Sequence, residues 1–313
     1  MCDIASSANT PCVAAFSMTR ALYASYTGPL YALRKSSDTV ETLDVLVASD
    51  GLAHVRVQHE FCDGTECQVI KIYDQSPNGN HLNIAPPGGA APFTDTGVFA
   101  DRAPVIVNGT ELFGAYFEGG MGYRNIDTKN IPTGDEPETM YMLTRGDHYN
   151  DGCCFDFGNA EVDSHDDGKG TMEAVYFGNS NGWGRGAGDG PWVMADLENG
   201  LWAGDNQTNP ENKPVTATFV TAMLKGKPKS FSLKSGDAQD TSSFKTIYEG
   251  PRPPGYEVMN KQGSIILGIG GDNSDRAIGT FYEGVMIGNW TDDSTDAAIH
   301  ANIAAMKYAA KYN

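Results

Sequence analysis

The chain has 313 residues, 40% of them hydrophobic, with 37 glycines and 16 prolines, and its 22 basic against 40 acidic side chains leave a net charge of −18. That length and apolar content suffice for one large core, while a surface of this sign repels phosphate backbones and anionic lipid heads and excludes nucleic acid as a partner. The sequence has no apolar run long enough to span a membrane as a helix, and neutral ligands, sugars above all, meet no electrostatic penalty.

From the N-terminus, Cys2 and Cys12 form a close pair with no leader pattern before it. A targeting segment is therefore expected to have been removed or never to have been part of this chain. Residues 17–26 read as a short helix with Met18, Ala21 and Leu22 on one face. Cys62 and Cys67 make a second close pair. Strand-like runs then recur between Gly, Asn, Asp and Pro clusters, at 105–107, 113–117, 139–144, 172–177, 192–196, 215–224, 231–233, 264–269 and 280–287. At the end, residues 297–308 place Ile299, Ile303 and Met306 at helical spacing, with Asp293 and Asp296 just before the first turn. Many short strands without alternating helices predict an all-β fold, a two-sheet β-sandwich or jelly roll, with both helices packed outside it. With no repeat, low-complexity tract or linker, residues 1–313 read as one domain.

The six cysteines allow fifteen pairings in principle. Local closure of Cys2 with Cys12 and of Cys62 with Cys67 leaves the adjacent Cys153 and Cys154 only each other. A bond between neighbours departs from ordinary disulfide geometry, and strained features concentrate at binding and catalytic sites. Free thiols, distant partners or a soft metal site are the alternatives, but zinc lacks its usual ligand spacings and the six histidines are scattered. Neither metal nor cofactor is expected. Paired cysteines imply an oxidising compartment, and sequons at Asn108, Asn206 and Asn289 accord with secretion.

Three segments have the composition of a site. Residues 178–192 are glycine-dense yet hold Trp183 and Trp192, which suits close approach to a ligand and an apolar wall for a sugar face, or else a loop whose indoles plug the core. If residues 193–198 are a strand, Met194, Asp196 and Glu198 share one face, with the two carboxylates about 7 Å apart; Asn199-Gly200 then turns the chain. Residues 263–274 read as a buried strand ending in Gly270-Gly271-Asp272, without the helix a dinucleotide fingerprint requires. The stretch Asp163-Ser164-His165-Asp166-Asp167-Gly168 imitates a calcium loop, but His165 and Ala174 stand where oxygen ligands belong. Two carboxylates on a β scaffold with aromatic walls and glycine-lined access are what a glycosidase requires.

Several motifs carry a resemblance that spans essentially the whole chain. They are Cys2-Asp3-Ile4 with Thr10-Pro11-Cys12, Ile72-Tyr73-Asp74-Gln75-Ser76, Asn78-Gly79-Asn80-His81-Leu82, His148 through Asp156 around the two cysteines, Gly188-Asp189-Gly190-Pro191-Trp192, and Leu267 through Ser274. In these the chain resembles the catalytic domain of glycoside hydrolase family 54, the fungal-type α-L-arabinofuranosidases. The resemblance implies a β-sandwich catalytic domain, for which a jelly-roll, concanavalin-like sandwich is expected; the protein is further expected to be secreted and monomeric. It would release terminal α-L-arabinofuranosyl groups from plant cell-wall polysaccharide or arabino-oligosaccharides with retention of configuration. Carried over by position, Glu198 is expected as nucleophile and Asp272 as general acid/base. Cys153 and Cys154 match an apolar vicinal-disulfide floor, and Trp183, Asp196, Asn199 and Gly271 match pocket-lining positions. Family members commonly add a C-terminal arabinose-binding β-trefoil, for which this chain has no room, so weaker polymer targeting is expected. A β-D-galactofuranosidase with the same mechanism and a non-catalytic sugar-binding sandwich are the competing readings.

Overall fold

The computed structural model describes residues 1–311; the last two residues of the expected single domain lie outside the described residues. In chain order the strands are β1 (Cys12–Ser17), β2 (Pro29–Lys35), β3 (Thr42–Leu46), β4 (Cys67–Ile72), β5 (Leu82–Ile84), β6 (Ala103–Val107), β7 (Thr110–Phe117), β8 (Tyr123–Asn125), β9 (Glu138–Arg145), β10 (Asp156–Ala160), β11 (Glu173–Gly178), β12 (Trp192–Asp196), β13 (Leu201–Trp202), β14 (Phe219–Lys227), β15 (Ser230–Asp237), β16 (Lys245–Pro251), β17 (Ser264–Leu267), β18 (Gly279–Ile287) and β19 (Ala309–Ala310). One sheet runs β16-β15-β14-β9-β18-β7-β6-β19, with β1 also paired to β18, and the other runs β13-β12-β11-β10-β17-β8-β5-β4-β2-β3. Pairing within both is antiparallel, and the expected all-β sandwich is the fold found.

The core between the sheets follows from period-two alternation. In β12, Val193 and Ala195, followed by Leu197, join the main apolar core. Trp192 and Met194 face the other way, into a second cluster with Cys154, Tyr176, Leu201 and Ala203. Aromatic edges interlock across the main core, Phe16 against Phe157 at 6.0 Å and Phe117 against Phe155 at 5.6 Å between ring centroids. Because β10, β11 and β12 are buried along their whole length, the face of this sheet turned away from the core is covered as well. That covered face holds the site.

All nine expected strand runs overlap strands, but residues 215–218 precede β14, residues 268–269 follow β17 and Met172 precedes β11. The C-terminal helix α3 (Asp293–Ala304) starts and ends four residues earlier than expected: Asp292 caps its start by accepting from Thr295 N at 2.7 Å, and residues 305–308 are not helical. Residues 17–26 are not helical, which corrects the sequence expectation. Ser17 closes β1 on Glu283, and the backbone donors that a helix would use are committed elsewhere. Met18 N donates to Tyr282 O, Ala21 N to Gly51 O, and Leu22 N to the Gln75 side chain. The apolar spacing instead reflects Met18 and Leu22 entering the core of an irregular segment. Of two further short helices, α1 (Cys2–Ser7) starts at the Cys2–Cys12 disulfide and α2 (Val55–Phe61) ends at Cys62–Cys67.

Candidate active site

A pocket of about 150 Å³ opens on the covered face of the β10-β11-β12 sheet. Its lining includes all eight site residues expected from the sequence: Cys153, Cys154, Trp183, Asp196, Glu198, Asn199, Gly271 and Asp272. Asp166, Gly200, Leu201, Gly270 and Ser274 complete it.

The floor is the Cys153–Cys154 disulfide, whose linking peptide bond is cis. It rests on the apolar cluster of Tyr176, Trp192 and Met194. Backbone bonds couple it to the loop after β17: Cys154 N donates to Ser274 O at 3.3 Å and Arg276 N to Cys153 O at 3.4 Å. The two tryptophans divide the roles considered for them. Trp192 is buried and donates Nε1 to Ala187 O, plugging the layer beneath the floor, while Trp183 stands 53% exposed at the pocket rim.

One wall comes from the end of β12. The strand stops at Asp196 rather than continuing to Glu198, so the two carboxylates are not successive residues of one strand face. Glu198 and Asn199 instead adopt left-handed backbone, φ 63° and 57°, a conformation costly for a glutamate and enriched at functional sites. The turn is clamped on both sides: Glu198 N donates to Asp196 Oδ1 at 3.1 Å, and Tyr256 Oη donates to Glu198 O at 2.7 Å.

The opposite wall is the turn after β17. Gly270 N donates to Ser274 O, Asn273 N to Gly270 O, and Ser274 N to the Asp272 carboxylate. Arg124, buried under this turn, donates Nη1 to Gly271 O at 2.7 Å and to Asn273 Oδ1 at 2.6 Å. Position 271 has no room for a side chain, since a Cβ there would meet Glu198 Oε2 at 2.7 Å and run into Glu161 Oε2.

Electrostatically the site is crowded with acids. Burial and the charges of Asp196 and Glu161 push Glu198 up to about 10. Burial pushes Asp196 up to about 7 and raises Asp156 and Glu161. Cys154 Sγ lies 3.3 Å from Asp196 Oδ2; a disulfide sulfur carries no hydrogen, so that contact is a hydrogen bond only when Asp196 is protonated. Two sulfurs and this carboxylate converge as metal ligands would, but both sulfurs are spent on each other.

Sequence reasoning missed Asp166, Glu161, Asp156 and Arg124. Asp166 accepts from Asn199 Nδ2 at 3.1 Å. It lies in the calcium-like stretch, where Asp163 and Asp166 accept from the local backbone amides of His165 and Gly168. The other three reach the site only through the pairing of β8, β10 and β17, which no local motif announces.

Fold and pocket together define a β-sandwich domain with an acid-lined pocket over an apolar floor. The profile of the α-L-arabinofuranosidase B catalytic domain matches residues 1–309. A probable α-L-arabinofuranosidase B of Aspergillus terreus is 50% identical over 98% of this chain and 62% of its own length. A Trichoderma koningii relative named arabinofuranosidase/β-xylosidase is 49% identical over 98% of the chain and 63% of its own. The crystal structure of an arabinofuranosidase complexed with arabinofuranosyl-α-1,2-xylobiose superposes with a TM-score of 0.96 at 46% identity, covering 99% of this chain and 66% of that one. The chain belongs to the α-L-arabinofuranosidase B catalytic-domain family, GH54. It spans about 62% of the length of the first of these curated relatives.

Proposed function

We propose that this domain is a secreted, retaining exo-acting α-L-arabinofuranosidase, with Glu198 as nucleophile and Asp272 as general acid/base. The observation that carries this reading is the pocket itself, in which the walls holding Glu198 and Asp272 close over a disulfide floor. Its roughly 150 Å³ falls below the ~300–1,000 Å³ usual for drug-sized ligands, a size for one terminal sugar rather than a chain. In the first half-reaction Asp272 donates its proton to the leaving oxygen while Glu198 attacks the anomeric carbon. In the second, Asp272 takes a proton from water, which displaces Glu198 and restores the original configuration. Asp196 and Asn199 offer hydrogen bonds to sugar hydroxyls, and the sulfurs and Trp183 offer apolar contact to its C–H faces. Secretion is supported by three disulfides and by the exposure of Asn108, Asn206 and Asn289. No helix among the described residues is long and apolar enough to cross a membrane.

The test is hydrolysis of 4-nitrophenyl α-L-arabinofuranoside, with proton NMR of the first-formed sugar anomer. Glu198→Gln and Asp272→Asn should each lower turnover about 10²–10⁴-fold with unchanged melting, and the first anomer released should be α. Near-normal turnover in either variant removes that residue from its role, and a β product rejects retention. Aryl β-D-galactofuranoside and β-D-xyloside belong in the same panel, the latter because of the name the T. koningii relative carries. Binding of arabinan without release of arabinose would favour the sugar-binding alternative.

A further inference from the structure

Glu161 follows β10 directly, is fully buried, and does not line the pocket. Its Oε1 lies 2.5 Å from Thr171 Oγ1, while its Oε2 is buried without a hydrogen-bond partner. That orphan oxygen and Glu198 Oε2 crowd the same point beside Gly271, where an added Cβ would touch both. Two ionised carboxylates cannot share such a space without a cation between them. The cation at hand, Arg124, donates to Gly271 O, Asn273 Oδ1, the Glu161 carbonyl and Ser264 Oγ, and to neither carboxylate.

We propose that Glu161 is the proton-holding partner of Glu198: in the empty pocket the two carboxyls share one proton, and when the sugar enters, that proton settles on Glu161 and leaves Glu198 ionised to attack. This rests on Glu198 being the nucleophile. The transfer moves one proton from Glu198 Oε2 to Glu161 Oε2 and changes no other bond; it reverses when hydrolysis releases the Glu198 carboxylate. Thr171 suits Glu161 in both states. Its hydroxyl donates to Glu161 Oε1, which remains an acceptor whether or not Oε2 carries the proton. The surrounding charges work in the same direction: Asp196 from β12, Asp156 from β10, Asp166 and Asp163 from the loop before β11, and Asp272 from the turn after β17, against Arg124 alone from β8. Burial, together with the charges of Asp196, Glu161 and Asp166, gives Glu198 its raised proton affinity.

A shared proton has a signature independent of activity. At pH 7 the pair carries one negative charge, and Glu161→Gln also leaves one, on Glu198. In native electrophoresis E161Q should therefore co-migrate with the wild type, whereas the exposed control Glu249→Gln should shift by a full charge. Should E161Q fail to fold, E198Q carries the same expectation and decides the point. On 4-nitrophenyl α-L-arabinofuranoside, E161Q should lose about tenfold in kcat, because a permanent amide donor replaces an exchangeable proton on the nucleophile, with KM changed less than twofold. A full charge shift in E161Q or E198Q, or an unchanged kcat in folded E161Q, overturns the partnership. Near-normal turnover in E198Q overturns instead the nucleophile assignment beneath it.

Discussion

Gly271 shows how much geometry one absent side chain maintains. With hydrogen alone at its Cα, Glu161 and Glu198 bring oxygens together beside the backbone that leads into Asp272. Gly271→Ala should displace Glu198 by enough to cost about 10²-fold in kcat/KM, while the melting temperature moves little because the turn stays held by Arg124 and Ser274. Steady-state kinetics with a melting curve checks this, and more than half of wild-type activity would contradict it. The site was legible residue by residue where chemistry is local: adjacent cysteines, a carboxylate before Asn-Gly, an aspartate after paired glycines. The buried acids and the arginine behind them were not, since each is an unremarkable charged residue until β8, β10 and β17 pair.

At the level of elements, residues 17–26 carry helical spacing but serve as an anchor. Arg20 Nε and Nη2 reach the two oxygens of Glu283 on β18, each at 2.6 Å, and Tyr141 and Tyr308 donate to the same carboxylate. Burial alone would raise Glu283, but Arg20 and these donors hold it below the usual carboxylate range. Removing the arginine strands a buried charge, so Arg20→Leu should destabilise the fold by about 3–5 kcal/mol, read as a lower urea midpoint. Arg20→Leu combined with Glu283→Leu should recover much of that loss; no recovery would show that the pair matters for more than charge balance. The strands were readable because glycine and polar clusters bracket them, as with β9, β14 and β18. β3 and β16 mix exposed polar residues into their runs and give a weaker alternating signal.

For the molecule as a whole, buried acids set the response to pH. Burial, with neighbouring acids, holds Asp95, Glu138 and Asp196 up at about 7 and Glu198 at about 10, and Asp156 higher than its usual range. These carboxyls bind protons more tightly folded than unfolded, so stability falls as pH rises above the ordinary carboxyl range toward the folded values. Burial lowers His148 to about 4 and also lowers His81 and His300, so these three weaken the fold as pH falls below 6.5. The more numerous acids outweigh them between pH 5 and 8, and the melting temperature should be higher at pH 5. Calorimetry at the two values decides it, and the reverse order would refute the balance.

The sulfur-bottomed pocket has one further consequence, for traffic. A cul-de-sac has a single doorway, so the severed chain must step out before water can step in, while the detached sugar waits at the dead end. Small alcohols queuing at that threshold would contend with water for the waiting sugar.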